Sequence, residues 1–213
     1  SLRSFKDIMK VGGGGLINSI TIAGTVAVVT AAVSKHGVEA LAGYGLGSRL
    51  EIIITPLVFG IGSVLTASVG INVGAQQLPR AKMIAWTGAF ISFCVVGLLG
   101  ATVTIFPDIW LNNFESSSLI RDYATSYLII VAPFYCFFAA GQTLYFASQG
   151  LGKIFYPVIV GIIRLLSVSI ICYYVTIYDL SLNFVFYGVS FGLLATGLGL
   201  WMCMLGPDWK KQI

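Results

Sequence analysis

The stretch from Leu41 to Val73, LAGYGLGSRLEIIITPLVFGIGSVLTASVGINV, decides the fold. It is almost entirely apolar or small, interrupted by Arg49 and Glu51, and it outlasts the roughly 20 helical residues that cross a bilayer core of about 30 Å. A run of this kind is a membrane helix, and its excess length calls for tilt or a bend. Pro56 lies in its middle, where a missing backbone N–H and a ring clash favour a kink.

The rest of the chain reads the same way. Only 9% of its 213 residues are charged, 57% are apolar or aromatic, and the mean hydropathy is +0.93. A soluble domain carries about a quarter charged residues, so this chain is solvated by lipid. Polar interruptions delimit six spans: Val11 to Val33, Leu41 to Val73, Ile84 to Phe106, Tyr127 to Ser148, Pro157 to Tyr178 and Leu182 to Leu205. The expectation is an all-α membrane protein, a bundle of six transmembrane helices over 11–205. The basic, amphipathic residues 1–10 read as the end of a cytoplasmic linker, and 206–213 as a cytoplasmic tail. Because the sequence starts at Ser1, it reads as a piece of a longer protein.

With loops on alternate sides, Arg3, Lys6, Lys10, Arg80, Lys82, Lys153, Lys210 and Lys211 gather on one side, against Lys35 and Arg121 on the other. The richer side is cytoplasmic by the positive-inside rule, which places both termini there in a multi-pass protein of a plasma or bacterial inner membrane. The net charge of +4 then follows from topology and gives no reason for a nucleic-acid partner.

Several chemistries are excluded by pattern. Cys94, Cys136, Cys172 and Cys203 sit in separate apolar runs without a CxxC spacing, and the single histidine, His36, belongs to a short loop, so no metal or cofactor is implied. The run Gly12 to Gly15 leads to no GxxxxGK[ST], and Gly43, Gly45 and Gly47 leave GxGxxG incomplete. Four glycines instead mark a bendable or closely packed helix end. No Ser/His pair, HExxH or rhomboid-type serine motif appears, so an enzyme is not expected.

Ionisable groups inside spans are costly and are functional candidates by default. Glu51 is the lone intramembrane acid, roughly 15 Å beyond the start of its span at about 1.5 Å per residue. At about 100° per residue, Thr55, Gly62, Thr66 and Val69 share its stripe, a face that could meet water. Asn18 and Thr21, with Gly14 and Thr25, share a face of the first helix. Tyr135 and Gln142, with Tyr145 and Gln149, share one of the fourth. A cavity of amides, hydroxyls and aromatic rings around one acid suits a lipophilic cation. Arg49, Arg164 and Pro56 read as structural or gating elements, and Gly70 and Gly74, like Gly188 and Gly192, have the GxxxG spacing of packed membrane helices.

Three stretches resemble the multidrug and toxic compound extrusion (MATE) family in its second half. They are Gly37-Val-Glu-Ala-Leu-Ala-Gly-Tyr44 with Arg49; Pro56, Gly60 and Val69-Gly-Ile-Asn-Val-Gly-Ala75 with Arg80-Ala81; and Gly150-Leu-Gly152 with Pro157 and Arg164. Ile71, Gln76 and Lys153 depart from the family's usual glutamine, glycine and aspartate. The resemblance implies one lobe of a twelve-helix transporter that works with an amino-terminal six-helix half or a second copy. It implies export of small lipophilic or cationic compounds by Na+ or H+ antiport. Positions where some members place coupling carboxylates carry Asn18 and Gln142 here, which leaves Glu51 or the other half. The alternatives are flipping of a lipid-linked substrate, which needs a more basic cleft, and a non-transporting scaffold or assembly subunit.

Overall fold

The computed structural model describes residues 2–206 and 209. They form α1 (Leu2–Ser34), α2 (Val38–Gly74), α3 (Leu78–Ile105), the short α4 (Pro107–Leu111), α5 (Ser118–Val131), a 3-10 turn (Ala132–Phe134), α6 (Tyr135–Leu151), α7 (Phe155–Ile177) and α8 (Leu182–Leu205). Six stretches are long and apolar enough to cross a membrane, and the fourth of them is α5, the turn and α6 taken together. The chain is therefore an all-helical bundle of six spans, as its composition requires.

The spans run beyond the apolar runs that reveal them. α1 is already helical through the basic residues 2–10, where a linker end was read. α3 starts at Leu78 rather than Ile84, because Pro79 fits the first turn of a helix, where its missing N–H is no loss. The fourth span begins at Ser118, capped by the Ser117 side chain, well before Tyr127. Of the expected tail 206–213, only Gly206 and Trp209 are described, and Trp209 is buried against the cluster that includes Leu78 and Met204.

The two prolines in the interiors of spans, Pro56 and Pro133, differ in what the backbone does around them. α2 continues unbroken through Pro56, whose ring is exposed on the outer face of the bundle. At about 1.5 Å per residue its 37 residues extend well past a bilayer core of about 30 Å, so α2 is tilted or protrudes. The break falls instead at Pro133, where the helix tightens into the 3-10 turn. Backbone groups freed at such a break need partners in lipid. Ser190 of α8 donates to the Ile130 carbonyl beside it at 2.8 Å.

The fourth span is the centre of the bundle, with half of its most apolar stretch buried against 28% for α1, α2 and α7. α6 packs on α2, α3 and α8, α5 packs on α2, and α7 lies between α1 and α8. Glycines make these approaches. A Cβ at Gly150 of α6 would lie 2.5 Å from the Thr66 carbonyl and 3.2 Å from the Gly70 nitrogen of α2. Gly188 and Gly192 of α8 face Ile171 and Val168 of α7, whereas Gly74 has no neighbour within 4 Å. Of the two GxxxG spacings, the second is used fully and the first at Gly70 alone. Gly152 then ends α6 in the left-handed region at φ 73°, where glycine is unstrained. The two glycines of Gly150-Leu-Gly152 thus have separate tasks, contact and termination.

Candidate functional site

Glycine spacing on α2 also positions Glu51, a half-buried acid well inside its span. A Cβ at Gly43 would lie 2.5 Å from Tyr123 Cβ and 2.8 Å from the Ile120 carbonyl, and one at Gly47 would strike the Tyr127 ring. Gly43 and Gly47 therefore let α5 lie directly on α2, one turn before Glu51. The approach brings the Tyr127 hydroxyl to Glu51 Oε1, to which it donates a hydrogen bond. Beyond the Pro133 break, Tyr135 at the start of α6 donates to the same oxygen at 3.2 Å. Edge-to-face contacts of Tyr127 with Tyr44, at 5.4 Å between centroids, and with Phe186, at 5.2 Å, fix its ring.

These groups line a cavity of about 70 Å³ between α1, α2, the fourth span, α7 and α8. Thr25, Tyr44, Glu51, Thr55, Tyr127, Tyr135 and Arg164 supply its polar wall; Val26, Val29, Ile54, Phe138, Val168 and Leu193 are among the apolar ones. Glu51 is its one acid and Arg164 its one cation. No ion pair within 4 Å joins them, and among the described residues the ion pair found is Arg121–Asp108, near the α4 end of the bundle. The Thr25 and Thr55 hydroxyls donate to the Thr21 and Glu51 carbonyls one turn back, which leaves their oxygens as acceptors. Carboxylate, phenol and hydroxyl oxygens around a small space are hard donors of the kind that hold a proton or an alkali cation.

Glu51, Thr55 and Tyr135 are thus brought together, and the other expected path residues are not. Thr21 is buried and Asn18 half-buried against α7, where a Cβ at Gly161 would be 3.0 Å from Thr21 Oγ1 and 3.6 Å from Asn18 Oδ1. Gln142 is buried farther along α6, its Nε2 without a partner. Beyond Thr55 the Glu51 stripe faces α6 rather than water, with Gly62 under the Phe146 ring and Thr66 donating to the Phe146 carbonyl at 2.9 Å. Arg49 is exposed with its guanidinium 5.5 Å above the Phe114 ring, away from the cavity. Arg164, read as structural, lines the cavity instead. Sequence reading missed Tyr127. The available signal was a second tyrosine upstream of Pro133 and the Gly43–Gly47 pair opposite it.

A family model described as MatE matches residues 16–175, most of the chain. The chain belongs to the MatE family. This MatE chain is 29% identical over 122 residues to a protein of Shewanella oneidensis named FAD transporter, covering 55% of the chain and 27% of that relative. It is 25% identical over 162 residues to the probable multidrug resistance protein NorM of Thermotoga maritima, covering 76% of the chain and 35% of the relative. Its fold matches the MATE transporter ClbM, solved in complex with Rb+, with a TM-score of 0.88 at 21% identity over 97% of the chain and 49% of that structure. The MatE chain spans about half the length of this solved transporter and less of the two named relatives. In the stretches quoted for the resemblance, Gly70 and Gly150 meet where α2 crosses α6, and Gly152 closes α6.

Proposed function

We propose that this chain is one lobe of a cation-coupled exporter in which Glu51 carries the coupling ion, Na+ or H+. The observation behind this reading is the Glu51 carboxyl itself, shared by two tyrosine hydroxyls on a cavity wall without a cationic partner. A lone acid at membrane depth is expensive to keep unless its charge is handled by something that comes and goes. A cavity of about 70 Å³ exceeds the ~10–15 Å³ that one water needs, and falls short of the roughly 300 Å³ of a drug-sized pocket. It admits an ion with its waters, and the bulk of a substrate belongs in a larger space shared with a second lobe.

That second lobe is an amino-terminal six-helix half or a second copy, as coverage of half the solved transporter suggests. Rocking of two bundles about a site near the midplane is the general mechanism for such pairs. The cargo is a small lipophilic, cationic or amphipathic compound, in keeping with the aromatic and apolar walls. The two named relatives carry different cargo names, so the cavity is the better guide. With Arg49 over Phe114 and Arg164 as the one cavity cation, a basic cleft for lipid-linked substrates has little support. The charge asymmetry favours cytoplasmic termini in a bacterial inner membrane.

The test is efflux of a fluorescent lipophilic cation from vesicles holding the native-length protein, under imposed sodium or proton gradients. Movement driven by one gradient and abolished by collapsing it is expected. No movement under either gradient would refute the reading.

A further inference from the structure

α3 and α8 both pack on α6 but not side by side, which leaves a groove of about 350 Å³ along the outside of the bundle, with α6 as its floor. Trp86, Phe90 and Phe93 of α3 form one wall, Phe137 and Ala140 of α6 the floor, and Trp201 of α8 the other wall. No lining residue is charged, and the groove is open to its surroundings, with Phe90 69% and Trp201 50% exposed. Aromatic pairs bracket it. Trp86 meets Trp201 edge to face at 6.1 Å between centroids, and Phe93 meets Phe137 at 5.5 Å.

The groove has a direction. α3 begins where α6 and α8 end, and the Trp86–Trp201 pair lies toward that end of the bundle. At about 1.5 Å per residue the lining from Trp86 to Phe93 runs about 10 Å inward, within the roughly 15 Å that one leaflet contributes to the bilayer core. Lys82 stands one turn before Trp86 on the same face of α3, and helical side chains tilt toward the helix start, so Lys82 leads from the groove toward the membrane surface. Lys82 is half-buried and Arg80 exposed. Neither has an acidic partner among the described residues, where the ion pair found is Arg121–Asp108, and Ala75 to Trp86 contains no acid. The indole nitrogens of Trp86 and Trp201 also donate to no described residue, whereas Trp110 donates to the Leu46 carbonyl.

An apolar groove open to a bilayer is filled by acyl chain, because an empty one forfeits the contacts of its walls. The mouth is what selects the lipid. Two unpaired cations and two free indole N–H groups at headgroup depth match the phosphate and glycerol oxygens of an anionic phospholipid. We propose that this groove binds one such phospholipid, with an acyl chain along the aromatic lining and the phosphate at Lys82 and Arg80. The inference uses membrane placement alone and is independent of the export reading.

Brominated acyl chains quench tryptophan on contact, so Trp86 and Trp201 report the occupant directly. The native-length protein is placed in phosphatidylcholine vesicles doped with dibrominated phosphatidylglycerol or, for comparison, dibrominated phosphatidylcholine. The signal is the difference from the protein carrying Trp86→Phe and Trp201→Phe. Saturable quenching by the phosphatidylglycerol is expected at a mole fraction about tenfold or more below that needed for the phosphatidylcholine. Lys82→Gln should cut this preference about fivefold, and adding Arg80→Gln should bring it near parity. Ala140→Phe fills the floor without changing charge and should abolish the preferential quenching, with melting temperatures checking the fold; the two charge substitutions lie at the surface and test the site even if Ala140→Phe misfolds. Equal quenching of wild type by the two lipids would mean ordinary boundary lipid and overturn the proposal. So would a preference that survives loss of both charges, or one that survives in a folded Ala140→Phe protein. Absence of quenching by either lipid would show that a second lobe or copy covers the groove, and would overturn it as well.

Discussion

Two sets of polar side chains in this bundle differ in whether their hydrogen bonds are closed; Gln142, buried with its Nε2 unpartnered, belongs to neither. Between α3 and α6, Thr143 donates to the Ala139 carbonyl of its own helix and shares a hydrogen bond of 2.8 Å with the Ser92 hydroxyl, and Thr66 and Ser190 donate to backbone carbonyls of the fourth span. Around Glu51 the groups line open space, an acid and a guanidinium face the same cavity unpaired, and two guanidinium nitrogens have no partner. The first pattern is how membrane helices hold each other. The second leaves an acid and a guanidinium unpaired with each other on the wall of a cavity. Polarity within a span is therefore a poor marker of function by itself; unmet polarity beside a cavity is a good one.

The largest effect that would sharpen this contrast lies in the closed region. Gly150→Ala should destabilise the bundle by about 1–3 kcal/mol, because its Cβ meets backbone atoms that cannot yield. Gly74→Ala, with no neighbour within 4 Å, should be neutral or slightly stabilising. Thermal melts in detergent compare them, and equal effects would break the account of the α2–α6 crossing. Next come the tyrosines at the open region. Tyr127→Phe and Tyr135→Phe each remove one hydrogen bond to Glu51, worth about 1 kcal/mol, so the cation concentration for half-maximal transport should shift about fivefold. A shift in melting temperature with unchanged cation dependence would assign them to packing. The smallest effect belongs to Ser92→Ala, expected to cost about 0.6 kcal/mol of stability with transport intact. Loss of transport there would show that the closed region is also functional.

How far the sequence led follows from the same contrast. Membrane spans are dictated by composition, so six of them were legible in the apolar runs alone. Their ends were not, since Leu78 to Lys82 and Ser118 to Ser126 are polar yet helical. Of the two prolines in span interiors, sequence rules weighed Pro56 and overlooked Pro133. Both rings are exposed; what separates them is the backbone, since α2 runs on through Pro56 whereas the fourth span tightens into a 3-10 turn at Pro133, with Ser190 bonded to the nearby Ile130 carbonyl. Glu51 stood out because an acid in lipid always does, and Thr55 followed from helical spacing. Asn18, Thr21 and Gln142 shared faces with cavity residues but lie elsewhere along their helices, because a stripe gives azimuth and not depth. Arg164 was read as structural since nothing in a sequence tells whether a guanidinium finds its partners.

The most direct test of Glu51 as the coupling group is gradient-driven efflux by the native-length protein and its Glu51→Gln form in matched vesicles, with melting temperatures recorded alongside. The amide keeps the shape and the tyrosine contacts but cannot take up and release a proton or pair with a sodium ion. The account predicts a folded protein whose driven efflux falls by about tenfold or more, a barrier change above about 1.4 kcal/mol. Efflux that continues at the wild-type rate and with the same ion dependence would contradict it and place coupling outside this lobe.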